Sequence, residues 1–204
     1  ADVGLLEDSC GQSRWLESAH TQIARMDLLI KNLMELVRTE ETVEETSIVS
    51  FCVSDIAQAS VDAFEPLARE FGKRLEARIA PGISMRGVQD NFFRLFSILL
   101  DNAIKYCDLE GVISFCLDQK GKNVCLSVSN PCVDVDASQL SRYFDCFYRA
   151  DSSRARSTGG YGIGLSTAKA IVTRHRGRIS SRYAQGVITF YVTIPQVLKK
   201  ERRR

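Results

Sequence analysis

The stretch Gly159-Gly160-Tyr161-Gly162-Ile163-Gly164-Leu165-Ser166 decides how this sequence is read. Its glycines alternate, and the apolar pattern of a helix running to about Arg174 begins inside it. Closely spaced glycines let backbone N–H groups approach an anion, and a helix N-terminus adds partial positive charge. The stretch therefore reads as a phosphate cradle. Two better-known cradles are excluded. No Gly-Lys-Ser/Thr occurs, so it is not a Walker loop. A dinucleotide fingerprint needs an apolar strand just before its first glycine, and residues 151–158 read DSSRARST.

Working outward, Leu95–Tyr106 (LFSILLDNAIKY) is a helix with Leu95, Leu99 and Ile104 on its apolar face. Asn102, Lys105 and Tyr106 are three and four residues apart and share another face. An amide oxygen suits Mg²⁺, a lysine suits phosphate and a tyrosine ring suits stacking beside a base. Between this helix and the glycines lies Phe144-Asp145-Cys146-Phe147-Tyr148-Arg149-Ala150-Asp151. Its aromatics anchor a segment to a core. Arg149, Arg154 and Arg156 suit charge-assisted contacts to phosphate oxygens.

The rest of 46–197 alternates strands and helices. Strands are expected at Ile48–Cys52, Arg74–Ile79, Val112–Leu117, Asn123–Val128, Arg178–Tyr183 and Val187–Ile194. Helices are expected at Asp55–Phe71, Val88–Tyr106 and Gly162–Arg174, with a short one at Ala137–Tyr143. Hairpins turn at Gly121-Lys122 and Gln185-Gly186. The sum is an α+β fold, a two-layer sandwich with a mixed sheet and helices on one face.

Upstream, Leu16, Ala19, Ile23, Met26, Ile30, Leu33 and Val37 alternate steps of three and four, a heptad seam on a helix at about 14–38. Residues 1–45 thus read as part of a helical hairpin, ending in the acidic linker Glu40–Thr46. Residues 198–204 form a solvated basic tail. Net charge is +2, too balanced to argue for nucleic acid. The seven cysteines are odd in number and form no CxxC, which fits reduced thiols in a cytoplasmic setting. No apolar run approaches the ~18 residues of a membrane span, so a membrane would enter only through a longer parent chain.

Five segments in order carry a resemblance: Asn-Ala-Ile-Lys-Tyr (102–106), Val-Ser-Asn-Pro (128–131), Phe-Asp-x-Phe-Tyr-Arg-Ala-Asp (144–151), the glycine stretch, and Thr-Phe-x-Val-x-Ile-Pro (189–195). They resemble the N box, first glycine box, F box, second glycine box and final strand motif of sensor histidine kinases, whose catalytic domain has the Bergerat-type ATP-binding fold shared with gyrase and Hsp90. The heptad helix resembles the second helix of their dimerisation domain. The resemblance implies ATP and Mg²⁺ as ligands. It implies that Asn102 holds Mg²⁺, Lys105 and Arg149 contact phosphate, and Tyr106 stacks near the adenine. Asn130 would accept from the adenine amino group. Gly160, Gly162, Ile163, Gly164 and Leu165 would form the cradle, with Tyr148 and Thr189 also lining the ATP site. It implies γ-phosphoryl transfer to a histidine, relay to a response-regulator receiver aspartate, and a homodimer through the hairpin.

Three departures stand out. Ile98 occupies the place of a second N-box asparagine, which implies weaker metal or phosphate coordination. Gyrase and heat-shock relatives carry a water-activating glutamate there, and isoleucine cannot act as a base. The first glycine box reads Asn130-Pro131-Cys132 in place of Asp-x-Gly; a neutral amide oxygen can still accept an N–H. No phosphoacceptor box surrounds His20 or His175. The acceptor is expected upstream of Ala1, and His175 reads as a cation at a helix C-terminus. The alternative reading is a kinase-inactive ATP-binding regulatory module acting as scaffold or phosphatase.

Overall fold

The computed structural model describes Ile23 and residues 48–133, 135–148 and 162–196. The expected hairpin at 1–45, apart from the helical residue Ile23, the tail at 198–204, Arg149, Arg154, Arg156 and Gly160 lie outside the described residues. The chain divides into two units, Ala1–Arg38 and Thr39–Arg204, and the architecture below belongs to the second.

Strand β1 (Val49–Cys52) runs directly into helix α1 (Val53–Glu70). After it come β2 (Arg74–Ile79), β3 (Ser84–Gly87) and helix α2 (Gln89–Tyr106). The hairpin β4 (Val112–Lys120) and β5 (Asn123–Pro131) follows, then a 3₁₀ helix at Ala137–Phe144. Helix α3 (Gly164–Arg174) and the hairpin β6 (Arg178–Ala184) and β7 (Val187–Pro195) complete the fold.

The main sheet has five strands in the order β2-β4-β5-β7-β6. Only β2 and β4 run parallel; the other neighbours are antiparallel. Register lines up Phe115, Val128 and Phe190 across three strands, and Leu117, Leu126 and Val192 beside them. All six are buried, as period-two alternation requires of one sheet face. Against that face lies α2, whose buried Phe92, Leu95, Phe96, Leu99, Leu100, Ala103 and Ile104 recur at helical spacing. The two-layer sandwich expected from the sequence is the observed architecture.

The strand β3 departs from that expectation. Residues 84–87 read only as a connection, yet β3 pairs antiparallel with β1 in a separate two-stranded sheet, Val49 opposite Gly87. Four residues with one apolar side chain carry no local strand signal, and the pairing partner lies more than thirty positions away.

His175 also differs. It is not a solvated cation but a buried ring, 1% exposed, at the end of α3. Nδ1 lies 2.8 Å from the Ile171 carbonyl, and Nε2 accepts from the Val88 N–H at 3.3 Å. Phe92 packs edge-on against it, with ring centroids 4.8 Å apart. Val88 is the N-cap of α2, so one neutral imidazole ties the end of α3 to the start of α2. Burial pushes its pKa below the usual histidine value, with Arg174 adding in the same direction.

A stability prediction follows from that direction. Below about pH 6.5 the unfolded chain takes up a proton that the folded chain refuses. Stability present above that pH is therefore lost as pH falls toward the folded-state pKa. Urea denaturation at pH 7.5 and pH 5 measures it, and His175→Gln is expected to flatten the acidic slope. A slope unchanged by that substitution would assign the acid loss to other groups.

Candidate functional site

Helices α2 and α3 pack side by side, and the glycine stretch enters α3 at their junction. A Cβ built on Gly164 would lie 3.5 Å from Ile98 Cγ2. Ile98 is one turn before Asn102, so the start of α3 faces the helix that carries Asn102, Lys105 and Tyr106. Ile98 thus makes a packing contact where the resemblance had led us to look for a second polar ligand.

The N-terminus of α3 has no side-chain cap. The Ser166 and Thr167 hydroxyls turn back and donate to the Ile163 carbonyl at 2.8 and 3.0 Å. The leading N–H groups of the helix are therefore left without intrahelical acceptors, the usual state of an anion-binding terminus. Just before it, Gly162 has φ of +72° and its carbonyl accepts from the Phe147 N–H at 2.9 Å. That bond joins the end of the aromatic segment to the start of the helix. Tyr148 stands beside it, stacked near Tyr143 at 6.0 Å and covered by the Arg142 guanidinium at 4.5 Å.

On α2, Asn102 is half-buried, whereas Lys105 and Tyr106 are exposed. Lys105 Nζ donates to Asp101 Oδ2 at 2.6 Å, one turn back. This is an exposed i,i+4 pair, a contact weak enough for a phosphate to displace.

Asn130 ends the buried row of β5 and is 1% exposed. Its Nδ2 donates to the Pro131 carbonyl at 3.1 Å. Its Oδ1 is buried, and no donor among the described residues reaches it. An unmet buried acceptor costs about 1–3 kcal/mol, so it marks a place where a ligand donor fits. The Pro131 carbonyl also accepts from the Asp108 N–H at 3.0 Å, which ties the end of α2, and with it Tyr106, to the end of β5.

Thr189 does not join this group. It pairs with Ser129, one position out of phase with the pair Asn130–Ile188, so its side chain lies on the opposite sheet face. There it lines an open groove with Arg182, Ala184, Gln185, Val187 and Tyr191. The sequence carried the signal, because Ile188, Phe190, Val192 and Ile194 alternate as the core face and leave Thr189 on the other.

Two residues near the site were not singled out as ligands from the sequence. Tyr143 is half-buried close to Tyr148, Cys132, Asp136 and Tyr106, and burial pushes its phenol up to about 12. Lys73 is buried, 8% exposed, behind the α2–β5 junction. No local pattern reveals either, since both depend on which segments meet.

Comparison with known proteins places the chain by family and by fold. Residues 87–198 match the family described as histidine kinase-, DNA gyrase B-, and HSP90-like ATPase. The sensor protein DltS of Streptococcus agalactiae is 31% identical over 195 residues, covering 96% of this chain and 49% of that protein. The phosphate regulon sensor protein PhoR of Pseudomonas aeruginosa is 32% identical over 198 residues, covering 93% and 44%. The chain spans about half the length of these relatives. Among solved structures, the catalytic domain of histidine kinase ThkA superposes with a TM-score of 0.64 at 19% identity, over 74% of this chain and 96% of that one. Full-length ShkA in complex with AMPPNP reaches 0.73 at 16% identity, over 95% and 41%. The chain therefore belongs to the histidine kinase-, DNA gyrase B- and HSP90-like ATPase family, and the curated relatives it resembles over nearly all of its own length are sensor proteins.

Proposed function

We propose that this chain binds ATP between α2 and α3 and offers the γ-phosphoryl group to a histidine on a dimerisation helix, from which it passes to a receiver-domain aspartate. The observation that carries the reading is the buried Asn130 Oδ1, an acceptor that no donor among the described residues reaches and that an exocyclic amino group would satisfy. Tyr106 would border the base. The free N–H groups at the start of α3, with Gly160, Gly162, Ile163, Gly164 and Leu165, would cradle the phosphates. Lys105 would leave Asp101 for a phosphate oxygen, and Tyr148 and Arg149 would close the phosphate side. The amide oxygen of Asn102 suits Mg²⁺, which when bound would screen the phosphate charge.

Phosphoryl transfer of this kind asks the protein for positioning and charge stabilisation and for little covalent chemistry. The groups named here supply that: donors for the phosphates, an acceptor for the base and a lysine held in reserve. None of them is a general base placed to activate water, and Ile98 cannot serve as one. Such a site is suited to handing the phosphoryl group to an external acceptor.

Within the parent protein we place residues 1–45 in the dimerisation hairpin, residues 46–197 in the catalytic domain and residues 198–204 in a basic tail. The partners are a receiver domain and a second copy of the chain. The setting is the cytoplasmic side of a membrane-anchored sensor.

Two measurements test the reading. In thermal denaturation with Mg²⁺, ATP at about 100 Kd is expected to add about 2.7 kcal/mol of stability. No shift at millimolar ATP would remove nucleotide binding altogether. Phosphate transfer in trans, from radiolabelled ATP to a histidine-bearing helical hairpin, tests the chemistry. Binding without transfer would turn the reading toward a regulatory module.

A further inference from the structure

Lys73 is a buried cation that the nucleotide-binding reading does not use. Its side chain is 8% exposed, and its ammonium donates to the carbonyl of Ile104. That carbonyl is one of the last four of α2, which have no partner inside the helix. A cation is favoured at a helix C-terminus, which offsets part of the several kcal/mol lost on burying it. The same turn presents Lys105 and Tyr106 to the proposed site. Lys73 itself is held by the end of α1, where its N–H donates to the Ala68 carbonyl at 2.9 Å.

The bonds continue from α2 into β5. Past Tyr106, the Asp108 N–H donates to the Pro131 carbonyl at 3.0 Å, and that carbonyl also receives Asn130 Nδ2 at 3.1 Å. The second bond directs Nδ2 to the backbone and leaves Oδ1 as the acceptor. Cys107, Asp108 and Cys132 flank this junction and lie close to Lys73. The ammonium thus stands at the base of a chain of contacts that ends on the amide aimed at the base.

We propose that Lys73 is a positioning residue for nucleobase recognition. By holding the last turn of α2 against the end of β5, it sets both Tyr106 and the Asn130 amide in their base-facing places. This rests on the ATP-binding reading above. Lys73 touches no ligand in it, so its influence reaches the base only through those two residues. The glycine cradle at the start of α3 lies outside the chain of contacts that Lys73 anchors, and of the phosphate contacts only Lys105 shares its turn.

Calorimetric titration of the full chain and of Lys73→Met with ATP, ADP and GTP tests it, beside a thermal melt. Lys73→Met is expected to weaken ATP and ADP alike by about fivefold or more, the loss of about one hydrogen bond's worth of alignment. The preference for ATP over GTP should narrow, and Lys73→Arg, which keeps a cationic donor, should recover part of both. A Lys73→Met chain that melts lower but keeps its ATP affinity and its ATP-over-GTP ratio would overturn the proposal and leave Lys73 a structural cation. Should Lys73→Met fail to fold, Lys73→Gln and Lys73→Arg carry the same comparison. An unmodified chain that binds no ATP would instead remove the reading beneath the proposal, an outcome distinct from a binding chain indifferent to position 73.

Discussion

Replacing Asn130 by alanine is expected to weaken ATP binding by about 10- to 100-fold while leaving the fold intact. The side chain is fully enclosed, and its oxygen is the buried acceptor that no described residue satisfies. Removing it would leave the amino group of a bound adenine facing apolar surroundings, a loss of about 1–3 kcal/mol. The free protein loses less, because the Pro131 carbonyl keeps its bond from Asp108. Affinity should therefore fall much more than stability. Calorimetry with ATP and a parallel urea melt separate the two. An affinity within a factor of two of the unmodified chain would show that the base is bound elsewhere.

Replacing Gly162 by valine is expected to cost about 3 kcal/mol of stability, or roughly 6–12 °C in melting temperature, and to abolish tight ATP binding. Two effects add. At φ of +72° a residue with a Cβ is strained, and a β-branched one more so. The new Cβ would also lie 2.8 Å from the Tyr148 carbonyl oxygen and 2.9 Å from the Phe147 carbonyl carbon. Those are backbone atoms and cannot rotate away. The bond from the Phe147 N–H to the Gly162 carbonyl would have to move, and with it the entry to α3. Gly186 provides the control. Its φ is +75°, yet nothing lies within 4 Å of its Cβ position. Gly186→Val should show the strain without the collision. Equal losses at the two positions would mean that the close approach at Gly162 has no energetic weight.

Much of this fold is written in short-range pattern. Helical spacing marks α2 from Phe92 to Ile104, and two-residue alternation marks β4, β5 and β7. The hairpin turn at Gln185-Gly186 is legible for the same reason, since both residues take positive φ. The glycine-rich start of α3 is legible too, because alternating glycines at a helix start are a local feature. Arg149 and Gly160, expected on the same pattern, fall outside the described residues.

The base end was less so. Asn130 was placed only through its resemblance to an aspartate position, and nothing local announced that its Nδ2 would be tied to Pro131. Thr189 was assigned to the site by its neighbours in a motif, against the alternation of its own strand. His175 reads from the sequence as a helix C-terminal cation, whereas burial against Phe92 and the Val88 N–H favours its neutral form.

By itself, then, the sequence determined most of the elements, their order, the sandwich and a glycine-rich start to α3. Each of these follows from periodicity and backbone freedom within a few residues. Tertiary structure alone decided that β3 pairs with β1, that His175 is a neutral link between two helices, and that a buried Lys73 underlies the α2–β5 junction. Those outcomes depend on contacts between segments far apart in the chain, where burial and hydrogen-bond partners, and not residue type, set the state of each group.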